Sequence, residues 1–186
     1  MEKILNRDEG RLLAERIAKE ADVKLHECYQ CGKCSAGCPM AGSFDLMPRQ
    51  IVHLMHLGDM ETVMKSKSIW LCASCHTCVE RCPHDIDIPA LMEKSRMEAQ
   101  KRGYCAVRNV KLFNDIFTET IRGFGKSQEV ILEGIYNVGS GRLLQDINHV
   151  PEMLQKEIVR PELNQVRNKD HVRSIMKKCE EGGALN

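Results

Sequence analysis

Eight of the ten cysteines fall into two runs with the same spacing. Cys28, Cys31, Cys34 and Cys38-Pro39 return 44 residues later as Cys72, Cys75, Cys78 and Cys82-Pro83. Both runs read C-x2-C-x2-C-x3-C-P. Thiolate is the soft ligand that suits iron–sulfur clusters, and this spacing holds [4Fe–4S] cubanes. A cubane takes four thiolates, so the two runs supply two clusters. The chemistry on offer is electron transfer. The x2 steps wrap a tight loop, in which Gly32 lets the backbone approach closely. Pro39 and Pro83 fix φ where the chain leaves each loop. Backbone N–H groups in such loops aim at sulfur and help set the potential.

Two other readings use the same residues. Paired C-x2-C steps also build zinc ribbons, but eight cysteines would then need two zinc sites. The third step and the Cys-Pro ending are not ribbon features. A purely structural cluster is the other alternative; two near-identical runs favour electron transfer over it. The remaining candidates carry less. Cys105 and Cys179 read as inert thiols on helices. His53, His56, His76 and His84 read as solvated or packed, with His76 a candidate hydrogen-bond partner of a cluster. Trp70 reads as packing beside Cys72, and Met47, Met55, Met60 and Met64 as core filler. Gly123-Phe124-Gly125-Lys126-Ser127 lacks the first glycine and the spacing of a phosphate loop. No dinucleotide fingerprint and no nucleophile–base set is evident, so no catalytic residue is assigned.

Around these loops must stand elements that hold them. The chain has 186 residues, enough to bury a core without disulfide staples. Its net charge is +1 at pI about 7.6, which gives no field for nucleic acid or an anionic membrane. The first residues are charged and amphipathic, without a signal core, and no apolar run is long enough to span a bilayer. The expectation is a cytoplasmic protein whose thiols stay reduced and bind metal.

The pattern reads as mainly α. Asn6 and Glu9 form a capping box for a helix ending near Asp22, with Leu12, Leu13, Ile17 and Ala21 on one face. Between the runs, Pro48 starts a helix striped by Ile51, Leu54, Met55 and Leu57, and Gly58 stops it. Asp59 caps the next, with Met60, Val63 and Met64. Ser68 is expected to cap the turn into Cys72. Asp87 and Pro89 open a longer helix ending at Gly103. Another carries Val107, Val110, Phe113, Ile116, Phe117 and Ile121, broken by Gly123 and Gly125. Helical pieces follow near 128–138, 142–149, 151–159 and 170–181, separated by Gly139, Gly141, Pro151 and Pro161. The repeat implies two related halves in a domain over 1–104. A helical lobe over 105–186 has no counterpart in the repeat and is expected to dock partners.

The runs resemble those of two-cluster bacterial ferredoxins, in which the fourth cysteine serves the other cluster. Carried over, cluster one takes Cys28, Cys31, Cys34 and Cys82, and cluster two takes Cys72, Cys75, Cys78 and Cys38. Two runs joined by a helical linker also resemble the α-helical ferredoxin domain. Pro48-Arg49-Gln50-Ile51-Val52, Leu57-Gly58, Lys65-Ser66-Lys67-Ser68-Ile69-Trp70-Leu71-Cys72 and Asp87-Ile88-Pro89 look like the C-subunit family of soluble heterodisulfide reductases of methanogenic archaea. That resemblance covers about 25–100 well and the rest more weakly. It implies an electron-relay subunit in flavin-based electron bifurcation. Its partners would be a flavin-containing A subunit and a B subunit that reduces the coenzyme M–coenzyme B heterodisulfide in methanogenesis. A hydrogenase or formate dehydrogenase would complete the complex. The alternative is a relay for another flavin- or quinone-linked oxidoreductase.

Overall fold

The computed structural model describes residues 6–142, 152, 155–156 and 166–181. The fold is mainly α, and among the described residues there is no strand. The chain divides into two compact units, Met1–Val107 and Arg108–Asn186.

The first unit opens with α1, Arg7–Glu20. The Asn6 side chain accepts from Glu9 N–H at 2.8 Å, and Glu9 returns the bond to Asn6 N–H at 3.3 Å. The capping box is therefore complete. Leu13, Ala14, Ile17 and Ala18 face the core, whereas Leu12 is 68% exposed. Of the two adjacent leucines, only the one in register with Ile17 at four residues turns inward.

Short helix α2, Lys33–Ala36, lies inside the first cysteine run. Then come α3, Pro48–Leu57, and α4, Met60–Lys65. Pro48 stands in the first turn of α3, and Gly58 ends it at φ 74°. Leu57 is left half exposed while Ile51, Val52 and Met55 are buried. Asp59 caps α4 by accepting from Thr62 N–H at 3.2 Å. Within α4, Met60, Val63 and Met64 are fully buried.

Helix α5, Ser68–Leu71, leads into the second run, which contains α6, Thr77–Glu80. Ser68 does not cap α5. It is the first helical residue, and its hydroxyl donates instead to Asp45 at 2.7 Å. Helix α7, Ile88–Lys101, is capped by Asp87, which accepts from Ala90 N–H at 2.9 Å.

Helices α1, α3, α4, α5 and α7 enclose one core, and α2 and α6 pack on each other at its edge. Gly10 lets α1 meet the end of α3 backbone to backbone. A Cβ at Gly10 would overlap the Gly58 carbonyl, with Gly58 C only 2.9 Å away. The core includes Trp70 and reaches the cluster loops, since Cys28, Cys34, Cys72, Cys78 and Cys82 pack against it.

The second unit contains α8, Arg108–Phe124, α9, Glu129–Ser140, and α10, Lys169–Glu181. Both α9 and α10 pack on α8. Arg122 of α8 pairs with Glu180 of α10. Gly123 and Gly139 stand within helices rather than between them; Gly125 and Gly141, at φ 80° and 74°, mark the stops. The helical pieces expected near 142–149 and 151–159 lie, but for a few residues, outside the described ones.

Candidate metal centre

The two cysteine loops share one backbone conformation. Gln30 and its counterpart Ser74 have φ 63° and 49°, and Gly32 and His76 have φ 82° and 57°. These are the residues on either side of the middle cysteine of each run. Left-handed turns there wind the loop, and α2 and α6 follow at equivalent positions. The thiols repeat as well: Cys31 and Cys75 are exposed, and the other six of the runs are half-buried.

The loops meet where α2 packs on α6. Equivalent residues face one another: the charge of Cys34 reaches Cys78, and a Cβ on Gly37 would stand 2.7 Å from Arg81 Cζ. The sequence separates each of these pairs by 44 residues.

One cavity is lined by Cys38 of the first run together with Cys72, Cys75 and Cys78 of the second. Its walls are Pro39, Met40, Phe44, Pro48, Ala73, Ile88, Pro89 and Met92, with His76 and Thr77 at the loop. The cavity thus mixes thiols of the two runs. The Tyr29 phenol is raised by desolvation, then by its hydrogen bond with Cys31 and by the charges of Cys31 and of Cys82 from the second run. Among the described residues no three His, Cys, Asp or Glu side chains draw together on a single metal ion. The donors surround a cavity instead, and they are all thiols, which is the donor set of a multinuclear iron–sulfur cluster.

Proton affinities follow position. Burial pushes the Cys78 thiol up to about 12, reinforced by neighbouring Cys72 and, more weakly, by Cys34 and Cys75. Burial likewise raises Cys34, against hydrogen bonds from Ser35 that pull it down. The exposed Cys75 is lowered by its hydrogen bond with Thr77, the sulfur and hydroxyl being 3.4 Å apart. Cys34 and Cys78 therefore hold their protons in the free chain, and metal binding must displace them.

Residues outside the cysteine pattern complete the site. Gln30 Nε2 donates to Cys28 Sγ at 3.5 Å. Ser35 Oγ stands 4.0 Å from Cys34 Sγ and accepts from Arg49 N–H at 3.0 Å. The Tyr29 and His84 rings meet edge to face with centroids 5.2 Å apart. Asp45 ties the exit of the first run to the entrance of the second. It accepts from Ser66 Oγ at 2.6 Å, Ser68 Oγ at 2.7 Å and Lys67 N–H at 2.8 Å. Partial burial raises the Asp45 carboxyl, but these bonds outweigh it and hold the group well below the usual carboxylate range. Of these residues the sequence pattern singles out His84 and, as a helix cap, Ser68. Laying the two runs over each other position by position is the signal that brings out Tyr29, Gln30 and Ser35.

Paired loops, thiol-lined cavity and helical frame define a helical dicluster iron–sulfur protein. The 4Fe-4S dicluster domain family matches residues 24–86, and the cofactors are two [4Fe–4S] clusters. The chain is similar to the iron-sulfur C subunit of the CoB--CoM heterodisulfide reductase of Methanopyrus kandleri, at 37% identity over 95 residues, half of each chain. It is 28% identical over 161 residues to the C subunit of the H(2):CoB-CoM heterodisulfide,ferredoxin reductase of Methanothermobacter thermautotrophicus, covering 82% of this chain and 86% of that one. The iron-sulfur C 2 subunit of the CoB--CoM heterodisulfide reductase of Methanocaldococcus jannaschii is 35% identical over 103 residues, 55% of this chain and 53% of its own. These likenesses, together with the dicluster domain, support a protein of the heterodisulfide reductase C-subunit kind. The chain spans about half the length of the first of these relatives. Among the described residues no helix is long and apolar enough to cross a membrane.

Proposed function

We propose that the chain is the electron-relay subunit of a heterodisulfide reductase complex, in which it has no substrate chemistry of its own. Cys28, Cys31, Cys34 and Cys82 hold one cluster, and Cys72, Cys75, Cys78 and Cys38 hold the other. The observation that carries this reading is the cavity uniting Cys38 with the three loop cysteines of the opposite run. Crossed ligation ties both loops into one body and sets the two clusters side by side, as the packing of α2 on α6 supports. When bound, the clusters supply one-electron redox chemistry. The protein's part is to hold eight thiolates, exclude water with the Met40–Phe44–Met92 wall, and place hydrogen-bond donors at sulfur.

The relay joins a flavin-containing A subunit to a B subunit that reduces the coenzyme M–coenzyme B heterodisulfide, in a cytoplasmic complex with a hydrogenase or formate dehydrogenase. The names of the relatives support the heterodisulfide reductase complex. The test is anaerobic analysis of the purified chain. About eight iron and eight acid-labile sulfide are expected per chain; zinc without sulfide overturns the relay. Cys82→Ser damages the cluster of the first run. If it perturbs only the cluster of the second run, the crossed assignment is wrong.

A further inference from the structure

The two cradles share a backbone but not their surroundings. Gln30 donates to Cys28 in the first, and Ser35 stands beside Cys34. At the matching positions the second has Ser74 and Val79. Its one side-chain hydroxyl partner to a run cysteine, among the described residues, is Thr77 at Cys75. The Tyr29–His84 ring pair flanks the first cradle. Its counterparts are Ala73 and Met40, both in the apolar lining of the second cavity. Charge differs in the same sense. The Arg49 stem lies over the first loop, its Cδ 3.7 Å from where a Cβ of Gly32 would stand, whereas the matching residue after the second run is Glu93.

Hydrogen bonds to sulfur, positive charge and polar surroundings each stabilise the reduced, more negative cluster and raise its potential. All three differences favour the first cradle. We infer that the chain holds its two clusters at unequal potentials, the one in the first-run cradle being the higher. Gln30, Tyr29, His84 and Arg49 are the residues that set the difference. An electron shared between the clusters then resides on the first-run side, which gives the relay a direction built into its own side chains. This rests on the two-cluster reading above.

The test is a spectroscopic redox titration of the full chain carrying both clusters, with iron and sulfide measured on the same sample. Wild type should give two one-electron waves. Gln30→Ser installs the counterpart residue at a backbone position where serine is already tolerated. It should lower the upper wave by about tenfold in its equilibrium constant, or ~59 mV for one electron, and leave the lower wave in place. His84→Met should act on the same wave, which keeps the test intact if Gln30→Ser loads poorly. Thr77→Val should lower only the lower wave. Coincident waves in the wild type, or Gln30→Ser and His84→Met acting on the lower wave, overturn the inference. A deficit of iron and sulfide in the wild type instead counts against the two-cluster reading itself.

Discussion

The first 107 residues and the remainder are both helical, yet they use apolar side chains in opposite ways. In Met1–Val107 the helices close on a dense core in which Ile51, Val52, Met60, Val63, Met64, Ile69 and Leu91 are wholly buried. In the second unit only Ile116 and Leu132 are buried hydrophobics among the described residues. Phe113, Phe117, Val130, Ile135 and Val138 are exposed by 38–67%. The difference shows what a cluster-holding frame demands. Eight thiols must be kept in register across two loops, so the surrounding helices have to be rigid and well packed. The second unit carries no such burden.

The sharpest way to break this comparison is to remove volume from the first core. Met64→Ala is expected to cost about 3 kcal/mol, read as a lower midpoint in anaerobic thermal unfolding. A change below about 1 kcal/mol would mean that the frame is looser than its burial indicates. Gly10→Ala is next, at about 2–3 kcal/mol from overpacking, because the new methyl overlaps the Gly58 carbonyl.

Asp45→Asn should cost about 2 kcal/mol, since it weakens hydrogen bonds to a charged acceptor. This loss depends on pH. The folded-state pKa of Asp45 is depressed, so its contribution is complete above the ordinary carboxylate value of about 4. It fades as pH falls below that value toward the folded pKa. Wild type and Asp45→Asn should therefore differ most near neutral pH and converge in acid; a gap that widens in acid contradicts the assignment. The smallest effect belongs to the second unit. Phe117→Ser, at a position 38% exposed, is expected to change stability by about 0.5 kcal/mol and to leave cluster content unchanged. A loss comparable to that of Met64→Ala would erase the contrast between the units.

Much of this is legible in the residues because it is local. The Asn6–Glu9 box, Pro48 and Gly58 around α3, and Asp59 and Asp87 as caps all act within a turn of their own helix, and each stands where its chemistry places it. Leu12 and Phe113 are harder. A stripe at steps of three and four shows that a helix has an apolar side, but the partner decides how far that side is covered. Ser68 reads as a cap because its true partner, Asp45, lies 23 residues away in sequence. Gly10 offers no signal at all, since its role depends on the end of another helix. Within the site, the cysteines announce the donor set. The distinction between the cradles lies in residues whose meaning emerges only when the repeat is folded onto itself.

Gly37 of the first loop meets Arg81 of the second. In an assembly of two identical chains, residues related by a two-fold axis must be the same, so a contact near that axis would set glycine against glycine or arginine against arginine. The first leaves a void and the second drives two like charges together. Carrying both halves on one polypeptide removes that constraint and lets a small residue on one side receive a large one from the other. Covalent duplication thus does more than keep two loops together: it permits each half to diverge from its twin at the seam where they join.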